Sequence, residues 1–170
     1  MPNLVTYSRI VLTVPIVFLL KSEYYSIALI IFLIAAFTDY LDGYLARRLN
    51  KVSETGKVMD QVADKILVTS VFLALMNEIP LWLVVTVIIR DSWVNGLRIL
   101  SAKKGIIVPA NIWGKMKTVL QFVLILTIMV ERTFDLDMRI LVIIFVFLTF
   151  LAAVVSGFIY TYQNRNALEG

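Results

Sequence analysis

Apolar residues run along this chain in six long stretches separated by short polar clusters. The first stretch spans about Leu4 to Leu20, with Pro15 inside it and Lys21-Ser22-Glu23 as its exit. The second runs from Tyr24 to about Arg47, and the third from near Gly56 to Asn77-Glu78. Pro80 stands where it would open a fourth, over roughly Leu81 to Ser101. The fifth covers about Trp113 to Val130 and the sixth about Met138 to Tyr162. Apolar runs of about 17–25 residues match the length of a bilayer-crossing helix, which satisfies its own backbone without water. The pattern therefore predicts an all-α polytopic membrane protein: six transmembrane helices in one bundle, forming one domain over residues 1–170. Pro15 is expected to kink the first helix. That helix is expected to remain as a span, because a basic lead and a small-residue cleavage site are missing.

Composition then narrows the chemistry. Of 170 residues, 60% are hydrophobic and 16% charged, more apolar than a soluble domain of this size. Cysteine and histidine are both absent, which removes disulfides, thiol nucleophiles, the usual zinc ligands and imidazole bases. Catalysis is left to carboxylates, lysines, arginines, hydroxyls or a metal. A net charge of +4 is too small to point to a nucleic-acid partner.

The basic residues instead sort by side. One side collects Arg9, Arg47, Arg48, Lys51, Lys57, Lys65, Arg98, Lys103, Lys104, Lys115, Lys117 and Arg165. The other holds Lys21, Arg132 and Arg139, together with Glu131, Asp135 and Asp137. The positive-inside rule then puts both termini in the cytoplasm.

Four aspartates, Asp39, Asp42, Asp60 and Asp64, fall near the end of the second stretch and the start of the third. On a helix, Asp39, Asp42, Gly43 and Ala46 lie within about 100° of one another. Gly56, Asp60 and Asp64 follow at i, i+4 and i+8, a single stripe of the next helix. Two helices joined by a short basic link can gather all four carboxylates, which would repel one another without a counter-charge. Hard oxygen donors favour Mg²⁺, Mn²⁺ or Ca²⁺. The small residues Gly43, Ala46 and Gly56 would let a ligand, or simply a neighbouring helix, approach the backbone.

Depth is set by the helical rise. Asp39 and Asp42 lie roughly 22–27 Å along their span from its outer end, near the inner edge of the hydrocarbon. Arg98 lies at a similar level, as do Lys115 and Lys117 at the start of the fifth stretch and Arg9 in the second turn of the first. Acids and bases at one interface predict a polar cavity open to lipid and cytosol that holds metal-bound phosphates. Arg90 sits deeper, about 14 Å into its span, where an arginine needs protein, water or a counter-charge. Its neighbour Asp91 points to another face, so an ion pair with Arg90 is not automatic. Arg98, Lys115 and Lys117 make a candidate anion pocket, although lysines there also reach lipid headgroups. Trp82, Trp93 and Trp113 read as interface anchors or packing.

These residues resemble a family signature. Asp39-x-x-Asp42-Gly43-x-x-Ala46-Arg47, eight residues, then Gly56-x-x-x-Asp60-x-x-x-Asp64 is similar to that of the CDP-alcohol phosphotransferases, with every defining position present. Pro2-Asn3-x-x-Thr6-x-x-Arg9, Gly96-Leu97-Arg98 and Gly114-Lys115-x-Lys117-Thr118 are most similar to bacterial members that use glycerol 3-phosphate. Gln61 departs from a common proline, and Asp91 stands where glutamate is usual.

The resemblance implies transfer of the phosphatidyl group from CDP-diacylglycerol to glycerol 3-phosphate, with release of CMP. It implies two Mg²⁺ or Mn²⁺ ions on Asp39, Asp42, Asp60 and Asp64, with Asp64 as the catalytic base. It assigns CDP-diacylglycerol to Asp42, Gly43, Ala46, Arg47, Gly56 and Asp60. Arg90, Arg98, Lys115 and Lys117 are expected to bind the acceptor phosphate, and Arg9 and Thr6 to close that cavity. A homodimer in the bacterial cytoplasmic membrane, with its active site facing the cytoplasm, completes the expectation. Inositol phosphate or serine are the alternative acceptors. A prenyltransferase would share the acids without the glycine–alanine–arginine spacing. A cation transporter would place its acids near the bilayer midplane.

Overall fold

The structure, a computed structural model, describes residues 2–48, 54–105 and 112–165. Within them, the side chains of residues 2–6, 39, 40, 42–48, 54–58 and 60 lie outside the description. The described residues form six α-helices and no strand: α1 (Pro2–Lys21), α2 (Tyr25–Arg48), α3 (Glu54–Ala74), α4 (Leu81–Lys103), α5 (Ile112–Phe134) and α6 (Arg139–Gln163). Each matches one apolar stretch. Of these, α5 and α6 are long and apolar enough to cross a membrane. In contrast, α4 carries Arg90, Asp91, Arg98 and Lys103 within its 23 residues.

The helix ends have local causes. Glu23 takes a left-handed φ of 62° after α1, so the Tyr24 amide donates to Leu19 O at 2.9 Å and the Glu23 amide to Leu20 O at 3.2 Å. Such wrap-back bonds satisfy carbonyls that a helix end leaves open. Gly105, at φ 71°, ends α4, and Asp135, at φ 51°, ends α5. Pro80 is the N-cap of α4, at φ −64° and ψ 136°. A proline disfavours helix at the residue before it, which separates α3 from α4. Helix α1 runs unbroken through Pro15.

The chain divides into two compact units. The first comprises residues 1–76 with 128–137, and the second 77–127 with 138–170, so α5 contributes to both. In the first unit, α1 packs on α2 and on α3. Arg9, Thr13, Ile16 and Leu20 form the buried stripe of α1, at helical spacing. Ala28, Phe32 and Ala35 face inward from α2, and Ala63, Leu67, Val71 and Leu75 from the α3 segment. In the second unit α4 packs on α6. Its core joins Leu83, Val84, Val87, Val94 and Leu97 of α4 to Thr149, Ala152, Ala153, Ser156 and Tyr160 of α6. Trp82 seals one end, edge-on to Phe150 at a centroid distance of 5.2 Å.

Candidate active site

The acids belong to the first unit. Helix α2 is continuous over Asp39 and Asp42 and α3 over Asp60 and Asp64, so each pair stands one turn apart. Adjacent-turn positions are about 5–6 Å apart at Cβ, a span that a hard divalent cation can bridge between carboxylates. That donor set fits such an ion. The side chains of Asp39, Asp42 and Asp60, with those of Thr6, Gly43, Ala46, Arg47 and Gly56, lie outside the described residues.

Asp64 is described, and its partner is Arg9. Arg9 Nη1 donates to Asp64 Oδ1 at 2.6 Å. The arginine side chain is 3% exposed and the aspartate 36%. The pair follows from packing: Arg9 lies on the buried stripe of α1, and Asp64 stands beside Ala63 on the α3 face that α1 covers. Arg9 thus meets an acid between α1 and α3. A short bond of this kind fixes the direction of the carboxylate.

The bases form a second constellation, in the second unit. Arg90 Nη1 donates to Asp91 Oδ1 at 2.8 Å, and Lys117 Nζ to Asp91 Oδ2 at 2.6 Å. One carboxylate therefore holds two cations, one on α4 and one on α5. The expectation that Asp91 would point away from Arg90 is corrected here: the long arginine side chain turns back across the rotation between consecutive residues. Arg90 Nε donates to Ser156 Oγ at 2.9 Å, and Arg98 Nη2 to the Tyr160 hydroxyl at 3.0 Å. Both guanidinium carbons lie 5.4 Å from the Tyr160 ring centroid, within cation–π range. Lys117 is buried while Lys115 is exposed, so the two expected lysines differ in kind.

Glycines make room for this cluster. A Cβ on Gly114 would stand 3.3 Å from Tyr160 Cε2 and 3.4 Å from Arg90 Nη2. One on Gly157 would stand 3.4 Å from Arg90 Cγ. Tyr160, Ser156 and Gly157 escaped the sequence reading because α6 looks like a plain apolar span. The one hint was a periodic row of small or hydroxyl residues, Thr149, Ala153, Ser156 and Tyr160, at steps of three and four. Trp93 Nε1 donates to Thr161 Oγ1 at 2.8 Å, and Trp113 lines an open apolar groove with Phe158, Ile159 and Tyr162.

Described elements that are all helical, carboxylate positions one turn apart on each of two helices, and a part-buried arginine–lysine cluster have the character of a phosphate-handling enzyme. Residues 1–158 match the CDP-alcohol phosphatidyltransferase model, and the chain belongs to that family of phosphatidyltransferases. A Bacillus subtilis relative is 37% identical over 149 residues, covering 82% of this chain and 74% of its own. One from Rickettsia typhi is 36% identical over 130 residues, 71% of each chain. A Mycoplasma pneumoniae relative is 39% identical over 99 residues, 57% of this chain and 44% of that protein. All three carry the name CDP-diacylglycerol–glycerol-3-phosphate 3-phosphatidyltransferase.

Proposed function

We propose that the chain transfers the phosphatidyl group of CDP-diacylglycerol to glycerol 3-phosphate, giving phosphatidylglycerophosphate and CMP. The names of its relatives support this acceptor. The observation that carries it is the basic cluster itself: Arg90, Arg98 and Lys117 are brought together around Asp91 and Tyr160, with Arg90 Nη2 buried and without a hydrogen-bond partner among the described residues. A phosphate oxygen is the complement of such a donor set. Serine would not call for so many cations.

The residues divide the work. Asp42, Gly43, Ala46, Arg47, Gly56 and Asp60 take the CDP moiety, and Arg90, Arg98, Lys115 and Lys117 the acceptor phosphate, with Thr6 beside it. Asp64, directed by Arg9, accepts the proton of the acceptor hydroxyl. That oxygen forms a bond to the β-phosphorus, the phosphoanhydride P–O bond breaks, and CMP leaves with the electron pair. Two Mg²⁺ or Mn²⁺ ions on Asp39, Asp42, Asp60 and Asp64 would supply Lewis-acid charge stabilisation when bound.

The setting is the bacterial cytoplasmic membrane, crossed by six spans of one functional domain, with both termini and the aspartates on the cytoplasmic side. The side rests on the distribution of lysine and arginine. Lipid contact is supported by exposed apolar rows: Val11, Val14 and Phe18 on α1, Ile27, Ile30 and Phe37 on α2, and Ile140, Phe147, Leu151 and Phe158 on α6. A homodimer is the assembly carried over from the family resemblance.

The test is incorporation of labelled glycerol 3-phosphate into lipid by the purified protein, with CDP-diacylglycerol and Mg²⁺. We expect one CMP released per label incorporated. Asp64→Asn should retain CDP-diacylglycerol binding and lose transfer by about 10²-fold or more. Release of CMP without incorporation of label would contradict the proposal, and substantial transfer by Asp64→Asn would reject the base.

A further inference from the structure

The basic cluster of the second unit contains two residues that no substrate need touch. Asp91 is 12% exposed and accepts bonds on both oxygens, from Arg90 and from Lys117. Tyr160 is 2% exposed; its hydroxyl accepts from Arg98, and both guanidinium groups lie against its ring. Together they tie three cations from α4 and α5 to one framework anchored on α6. Left alone, three like charges in so buried a place would repel one another and swing toward water.

We infer that Asp91 and Tyr160 are the positioning residues of the acceptor subsite, fixing the spacing and direction of Arg90, Arg98 and Lys117. The inference rests on the acceptor reading above. Arg90 shows what the framework leaves available. Its Nε and Nη1 are occupied by Ser156 and Asp91, while Nη2 is buried with no hydrogen-bond partner among the described residues. A buried donor without a partner costs free energy, and a phosphate oxygen would satisfy it. Nη2 lies on the side of Gly114, where any larger residue would press on Arg90 and the Tyr160 ring together. The carboxylate thus acts by direction as well as by charge: it occupies one end of the Arg90 fork and leaves the other for the ligand. The tyrosine hydroxyl likewise fixes the direction of Arg98 by accepting from its Nη2.

Three variants test this: Asp91→Asn, which keeps shape and removes charge; Asp91→Glu, which keeps charge; and Tyr160→Phe, which removes only the hydroxyl. Initial rates are measured while glycerol 3-phosphate and CDP-diacylglycerol are varied separately. Monodispersity and thermal stability in detergent select the folded samples. Asp91→Asn is expected to raise the KM for glycerol 3-phosphate at least about tenfold, and Tyr160→Phe about threefold to tenfold. The KM for CDP-diacylglycerol should stay within about twofold, and Asp91→Glu should recover most of the acceptor affinity. An unchanged acceptor KM in a folded Asp91→Asn or Tyr160→Phe sample overturns the inference, as does an equal rise in both constants. Wild-type protein that prefers an uncharged acceptor refutes the acceptor reading itself, and the inference falls with it.

Discussion

Arg9 shows how one residue's neighbours decide its role. An arginine directed at the acceptor phosphate and one directed at the base have different kinetic signatures, and the 2.6 Å bond to Asp64 favours the second. With its side chain 3% exposed, Arg9 is held by α1 and α3 and is not free to follow a substrate. Arg9→Ala is therefore expected to lower kcat by about 10-fold to 10²-fold, with the acceptor KM changed by less than about threefold. A dominant rise in acceptor KM would return Arg9 to the phosphate. Arg90 and Lys117 teach the complementary lesson. Arg90 was legible as a costly charge in an apolar helix and Lys117 as part of a candidate anion pocket, but their shared partner was not. Consecutive residues diverge by 100° on a helix, and only the length and flexibility of arginine close that angle.

At the scale of the helix, the apolar runs were enough to find all six elements, and their ends show where sequence reading stops. Helix α5 continues to Phe134, four residues beyond its expected end at Val130, because Glu131 and Arg132 are good helix formers that need not mark an end. What stops it is Asp135 in the left-handed region, a conformation that aspartate tolerates better than most residues. The α4–α6 interface was the least legible part. Mean hydropathy sees α6 as uniform, whereas packing depends on its narrow row of small residues, which lets α4 approach closely. Ala153 is fully buried in that row. Ala153→Leu should destabilise the fold by about 1–3 kcal/mol and also disturb Arg90, whose Nε is bound to Ser156 three residues on. Thermal unfolding in detergent would read the first effect and acceptor KM the second; a variant as stable as wild type would show that α4 and α6 are not closely fitted there.

At the scale of the whole chain, the exposure of large apolar side chains inverts the usual pattern of a protein in water. Tyr7, Val14 and Phe18 on α1 and Phe37 on α2 face outward, while Arg9, Lys117 and Gln121 are buried. This arrangement suits a lipid environment, where polar groups are satisfied within the protein and apolar ones meet acyl chains. The absence of native cysteine makes orientation directly measurable. In intact cells a membrane-impermeant maleimide should label Asp137→Cys and leave Lys104→Cys unlabelled until the membrane is opened. The reverse pattern would invert the topology. The charge asymmetry that predicts this was plain in the sequence, since it depends only on which loops hold lysine and arginine. The three-dimensional match between acid and base was not, because Arg9–Asp64 and Lys117–Asp91 join residues far apart in the chain, and Arg90–Asp91 joins neighbours that a helix points apart.

The central claim is the acceptor, and competition tests it most directly. Purified protein is given CDP-diacylglycerol and Mg²⁺ with equal concentrations of glycerol 3-phosphate, inositol phosphate and serine, and the lipid products are separated. A cluster of Arg90, Arg98 and Lys117 predicts phosphatidylglycerophosphate as the dominant product, at least about tenfold over the serine product. A dominant serine or inositol phosphate product would contradict it.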